Sequence, residues 1–138
     1  MARILWEIAA IFITLMGLSH LAGTLLTKGM HPRAPELIVD MEVAPLNLTN
    51  KLTMWKAWIG FNATHSCGII FMGIINYYLA WKHFGLLEQD HMFAGLTVAG
   101  VLLYALFARI YWFKGVFILL LIAFLIFMAG AILMIVNN

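Results

Sequence analysis

The chain has 138 residues, 64% of them hydrophobic and 10% charged, with a formal net charge of +2. A soluble domain carries about 45–50% apolar and about 25% charged residues, so the balance excludes an ordinary water-soluble domain, and the small net charge gives no basis for nucleic-acid binding. A single cysteine, Cys67, rules out an intrachain disulfide and any Cys-x-x-Cys motif, and no phosphate loop or dinucleotide-binding glycine pattern is present.

A membrane-crossing helix needs about 20 mostly apolar residues, and the first such run covers 4–26, broken only by Glu7. Its apolar stretch from Ile8 to Leu26 exceeds the roughly 7–15 residues of a signal-peptide core, and no small-residue cleavage site follows. The segment is therefore expected to stay in the mature protein. Glu7 is expected to reach lipid headgroups, with contact to Asn76 as the alternative.

A long connection follows, in which Pro35 to Glu42 reads as a short interfacial helix, with proline in its first turn and acidic residues early. Leu37, Ile38 and Met41 would rest on the bilayer or on the helix ends. The second span covers 55–81, the third 92–108, and the fourth 115–136, which carries no ionisable or amide side chain. A short connection at 82–91 holds His83, Glu88, Asp90 and His91, expected as solvated surface. The fold expected is an all-α membrane protein, one domain built as a four-transmembrane-helix bundle with a short interfacial helix in the first loop. The fourth helix, apolar on every side, would face lipid broadly or pack on another subunit.

Tryptophan and tyrosine settle at membrane interfaces because the ring is apolar and the N–H or O–H prefers water. Trp6 and Trp81 would mark one interface, and Trp55, Trp58, Tyr111 and Trp112 the other. Arg3 and Lys82 fall on the side of the termini, and Lys28, Arg33, Lys51, Lys56, Arg109 and Lys114 on the opposite side. The positive-inside rule then puts the long loop in the cytoplasm and both termini outside. Arg109, Trp112 and Lys114 form a headgroup anchor able to hold anionic lipid.

The polar residues within the spans carry the functional signal. At 100° per residue, Asn62, His65, Ser66, Ile69, Gly73 and Asn76 share one face of the second span, and Gly17, His20, Thr24 and Thr27 one face of the first. Gly60, Thr64 and Gly68 form a small-residue row suited to close helix approach. His20 lies roughly 9 Å from the loop-side end of its span, and His65 roughly 12 Å, at about 1.5 Å per residue. The two imidazoles should therefore be level in antiparallel neighbours. Ionisable side chains in a span usually face the bundle interior, so a polar pocket is expected, lined by His20, Asn62, His65 and Ser66 with Thr24 and Lys56 nearer its mouth. Such groups also serve as interhelical hydrogen-bond links with no further role.

Haem b with His20 and His65 as axial ligands is the sharpest cofactor reading, with a metal held by the same pair as its variant. A zinc site would need a third ligand, from His31, Glu36 or Asp40 in the long loop. Cys67 is expected to be a small buried residue without a neighbouring base, and the methionines adaptable packing.

The stretch Trp55-Lys56-Ala57-Trp58-Ile59-Gly60-Phe61-Asn62-Ala63-Thr64-His65-Ser66, with Gly17-Leu18-Ser19-His20 and Arg109-Ile110-Tyr111-Trp112-Phe113, resembles a family of small bacterial four-span proteins. The resemblance extends over most of the chain. It implies the bacterial inner membrane and groups the pocket residues as a unit, and it implies no reaction. The leading expectation is a lipid-like-ligand-binding or complex-forming subunit without catalysis of its own, alone as a homodimer or within a larger membrane complex. The alternatives are a membrane redox or lipid-modifying enzyme using His20 and His65, and an oligomeric small-molecule transporter.

Overall fold

The computed structural model describes residues 1–136. Its elements in chain order are α1 (Ala2–Leu25), α2 (Pro35–Val43), strands β1 (Pro45–Leu46) and β2 (Thr49–Thr53), α3 (Met54–Lys82), α4 (Phe84–Gln89), α5 (His91–Tyr111) and α6 (Lys114–Val136). Helices α1, α3, α5 and α6 are long and apolar enough to cross a membrane; the shortest, α5, has 21 residues. At about 1.5 Å per residue, that length matches a hydrocarbon core of about 30 Å.

Local chemistry sets the boundaries. Beyond α1, the Thr27 hydroxyl donates to the Gly23 carbonyl and accepts from the Gly29 N–H, occupying groups that the helix end leaves open. Helix α2 starts at Pro35, as the proline signal requires, and stops before the extended Ala44 and the following Pro45. The next residues form an antiparallel hairpin with Pro45 opposite Thr53 and Leu46 opposite Thr49. Thr53 closes the hairpin and caps α3, its hydroxyl accepting from the Lys56 N–H at 3.5 Å. Asp90 caps α5 more firmly, its carboxylate accepting from the Met92 and Phe93 N–H groups at 3.0 and 3.3 Å.

Helix α5 runs past residue 108, with Arg109 and Tyr111 in its last turn. The hairpin and the six-residue α4 were not anticipated, because neither carries enough periodic sequence to announce itself.

The contacts separate into two compact units, with α1 and α3 contributing to both. The first unit comprises Met1–Thr14 and the chain from Phe71 onward, and all four long helices meet in it. Its core is built on small residues: Ala9, Ala10, Ala80, Ala105, Ala108 and Ala123 are buried. Small side chains let helix backbones approach where lipid offers no competing hydrophobic drive. At Gly73 an added Cβ would strike the Thr14 hydroxyl and come within 2.8 Å of the Ala10 carbonyl. Helix α6 buries Leu120, Ala123, Phe127, Gly130 and Met134 at spacings of three and four, so one stripe of it does pack inside the chain.

Trp6 belongs to this core. It is fully buried, its ring meets Phe127 edge-on at 4.9 Å, and its indole N–H donates to Asn76. Its partner across the helices, and not its distance from the span's end, decides its position. Asn76 pairs with Trp6 and Thr97, leaving Glu7 to an ion pair with Arg3 at 2.9 Å. Arg3 also donates to the Trp81 carbonyl, tying the start of α1 to the end of α3.

The second unit, Leu15–Ile70, holds the rest of α1, the long connection with α2 and the hairpin, and the first part of α3. Here Gly17 is the close-approach position: an added Cβ would lie 2.8 Å from an Ile70 side-chain carbon. The row Gly60, Thr64 and Gly68 has no such role within the chain, since added Cβ atoms at Gly60 and Gly68 meet nothing within 4 Å. The row lies on the outward side of α3, away from the Asn62–Ser66–Ile69 stripe that is buried.

Candidate functional site

The second unit brings His20, Asn62, His65 and Ser66 together. On α3, Asn62 and Ser66 are buried at a spacing of four and His65 is half-buried beside them. The Asn62 amide Nδ2–H donates to the Trp58 carbonyl at 2.8 Å, which leaves Oδ1 as the group that faces α1. His20 Nε2 lies 3.2 Å from that oxygen, so the bond requires a proton on Nε2 and makes Nδ1 the acceptor in the neutral ring. Asn62 therefore fixes the His20 tautomer and ring orientation.

His65 completes the arrangement. Its ring meets the His20 ring nearly perpendicularly, with centroids 5.6 Å apart, in the edge-to-face geometry that aromatic rings favour. Phe61 lies one turn earlier on α3, with its plane within 7° of His65 and a centroid separation of 6.2 Å. Phe61 is 69% exposed. The site thus runs from a buried amide through two touching imidazoles to an outward-facing aromatic ring.

The remaining expected lining residues hold other positions. Ser66 donates to the Asn62 carbonyl at 2.7 Å, and Thr24 to the His20 carbonyl at 2.8 Å, so both hydroxyls bond back onto their own helices. Thr24 is buried and does not stand at a mouth. Lys56 is exposed in the first turn of α3, nine residues before His65 and so half a turn away from it round the helix. Cys67 is also exposed, a correction to its expected burial: two residues beyond His65 it lies about 200° round the helix, off the packed stripe.

The metal readings depend on this geometry. Imidazoles already in edge-to-face contact leave no slot for a porphyrin between them, and His20 Nε2 is turned to Asn62. The residues as arranged do not fit an axial haem pair. Glu36 and Asp40 are exposed, and His31 packs edge-on against Trp55 at 4.9 Å, so no third ligand reaches the pair. Among the described residues, no group of three His, Cys, Asp or Glu side chains is placed to hold a metal ion.

No protein-family model, curated protein or solved structure matches this chain.

At the other end of the sequence, Arg109 lies in the last turn of α5 with its guanidinium 6.0 Å from the Phe117 ring centre, Trp112 is half-buried in the turn, and Lys114 opens α6 exposed. Two relationships escaped the sequence reading. Phe61 and His65 share an i, i+4 spacing that announces side-chain contact on a helix. Thr97, the second donor to Asn76, carried only the signal of a hydroxyl in an apolar span.

Proposed function

We propose that this chain is an integral membrane protein whose four long helices cross the bilayer, and that His20, Asn62 and His65 form an intramembrane binding site for a lipid-like ligand. The protein acts as a binding or complex-forming subunit without catalysis of its own. The observation that carries the reading is the contact between two imidazoles in apolar helices, one of them oriented by Asn62. Holding ionisable side chains in such surroundings is costly and usually marks a functional position.

A binding role fits better than nucleophilic chemistry. Ser66 directs its hydroxyl to its own backbone, and Cys67 lies on another side of α3. Neither is paired with an imidazole as an activated nucleophile would be. The long first loop lies in the cytoplasm of a bacterial inner membrane, with both termini outside. Lys114 supports this orientation, since a cation at a helix start is disfavoured by the dipole and so argues for a topological role. Arg109, Trp112 and Lys114 anchor that side at the headgroups. The small-residue row left outward on α3 is compatible with a homodimer or a larger complex.

The test is cross-linking in membranes with photoactivatable phospholipid and fatty-acid analogues, followed by peptide mapping. Adducts concentrated in 15–25 and 58–68, and lost in the His20→Ala/His65→Ala double variant, are expected. Adducts spread evenly over all four helices would refute a dedicated site.

A further inference from the structure

We infer that Met30 and His31 form a strap latched onto α3 by Trp58 and Trp55, and that release of this latch opens the loop-side way to Thr24 and to the His20–Asn62 pair behind it. The inference rests on the binding reading for its purpose, naming a gated route to that site, and it is tested without a ligand.

Contacts on both helices define the strap. The chain leaves α1 at Leu25 and turns back at once. A Cβ added at Gly29 would lie 3.8 Å from the Gly23 carbonyl oxygen, and one added at Gly23 would lie 3.8 Å from Met30 Cγ. The segment then crosses to α3. There the Met30 carbonyl accepts from the Trp58 indole N–H at 3.1 Å, and the His31 ring meets Trp55 edge-on at 4.9 Å.

Helix spacing places these contacts beside the site. Trp55, Trp58 and Asn62 follow one another at three and four residues, so they share one face of α3. Gly23 comes three residues after His20 and so lies next to it on α1, one turn nearer the loop. Met30 therefore touches α1 one turn from His20 and is held on α3 one turn from Asn62. Thr24, adjacent to Gly23, is only 3% exposed although it stands in the last turn of α1. A side chain so near a helix end is enclosed when the chain beyond it folds back, as it does here.

The latch is weak enough to open. Among the described residues, the Trp58 bond is the one hydrogen bond that joins the strap to α3. Trp58 is 39% exposed, so water can take the place of the Met30 carbonyl. Thr27, Lys28 and Gly29 in the turn are exposed, and their hydrogen bonds stay within the turn or return to the end of α1. Nothing in these contacts requires α1 and α3 to part when the strap lifts.

The experiment follows the reaction of N-ethylmaleimide with Thr24→Cys in a Cys67→Ala background, on the full chain in mild detergent. Trp58→Phe keeps an aromatic ring and removes the N–H, and Trp81→Phe, at the far end of α3, is the control. Circular dichroism first establishes equal helix content. Trp58→Phe should speed the reaction by about fivefold, the factor that a hydrogen bond of ordinary strength contributes, and Trp81→Phe should leave it unchanged. Amide hydrogen exchange over residues 28–33 should rise in Trp58→Phe by a similar factor. A thiol rate indifferent to Trp58→Phe would overturn the inference, whether or not exchange in the strap rises, and so would an equal rise in Trp81→Phe. Those results would leave lipid cross-linking at the histidines as it stands. Failure of that cross-linking with the thiol result as expected would remove the bound lipid and keep the strap.

Discussion

The Trp6 indole N–H donates to Asn76 Oδ1 at 3.0 Å, and both side chains are completely enclosed by helices. Thr97 donates to the same oxygen at 3.1 Å, while the Asn76 amide N–H bonds to the Met72 carbonyl at 2.9 Å. One amide thus links α1, α3 and α5 and satisfies every polar atom it brings into the core. Replacing it by leucine strands an indole N–H and a hydroxyl. Asn76→Leu should lower unfolding stability in detergent by about 1–3 kcal/mol, whereas Glu7→Gln, which touches only the exposed Arg3 pair, should change it by less than about 1 kcal/mol. Steric-trap or denaturant unfolding checks both; equal effects would argue against a structural knot at Asn76.

Glycines of similar sequence setting should behave oppositely. Gly73→Ala places a methyl against the Thr14 hydroxyl and the Ala10 carbonyl, where backbone cannot give way, and should destabilise by about 1–3 kcal/mol. Gly68→Ala meets open space and should be neutral or stabilising by up to about 1 kcal/mol. Thermal unfolding of the two variants in the same detergent is sufficient, and a large loss at Gly68 would show that its face is covered by another chain.

The contrast between these two glycines also shows what sequence could and could not convey. Four long apolar runs announce the four long helices, because a helix satisfies the backbone of an apolar segment from within. The Asn62–Ser66–Gly73–Asn76 stripe and the pairing of His20 with His65 followed from helical periodicity and from equal depth. Which small-residue row packs did not follow, because Gly60, Thr64 and Gly68 and the real approach positions Gly17 and Gly73 look alike until a neighbour is in place. The burial of Trp6 was hidden for the same reason. An indole near the end of a helix can turn outward or to a buried acceptor, and the position of Asn76 turns it inward.

Asn62 should act on the site through His20. Asn62→Ala removes the acceptor at His20 Nε2, with a stability loss of about 0.6–2 kcal/mol, the range for a hydrogen bond between apolar helices. Solution NMR of ¹⁵N-histidine-labelled protein should show the His20 resonances shifting from one tautomer towards a mixture. An unchanged His20 spectrum would mean that Asn62 does not orient the ring.

Orientation is tested by thiol accessibility in a Cys67→Ala background. Leu48→Cys, in the turn of the hairpin, should react with a membrane-impermeant maleimide only after the membrane is opened, and Gln89→Cys should react in intact cells. The reverse pattern would invert the topology, and labelling of both in intact cells would contradict the alternation of four spans.

The most direct test of the central claim is native mass spectrometry of the protein released from mild detergent, wild type beside His65→Ala. The account predicts a wild-type species carrying one discrete amphiphile per chain that survives release from the micelle and is missing from the variant, with both proteins equally helical. Identical spectra for the two, whether both bare or both carrying the same lipids, would contradict a binding site at His20 and His65 and leave the imidazole pair as a link between α1 and α3.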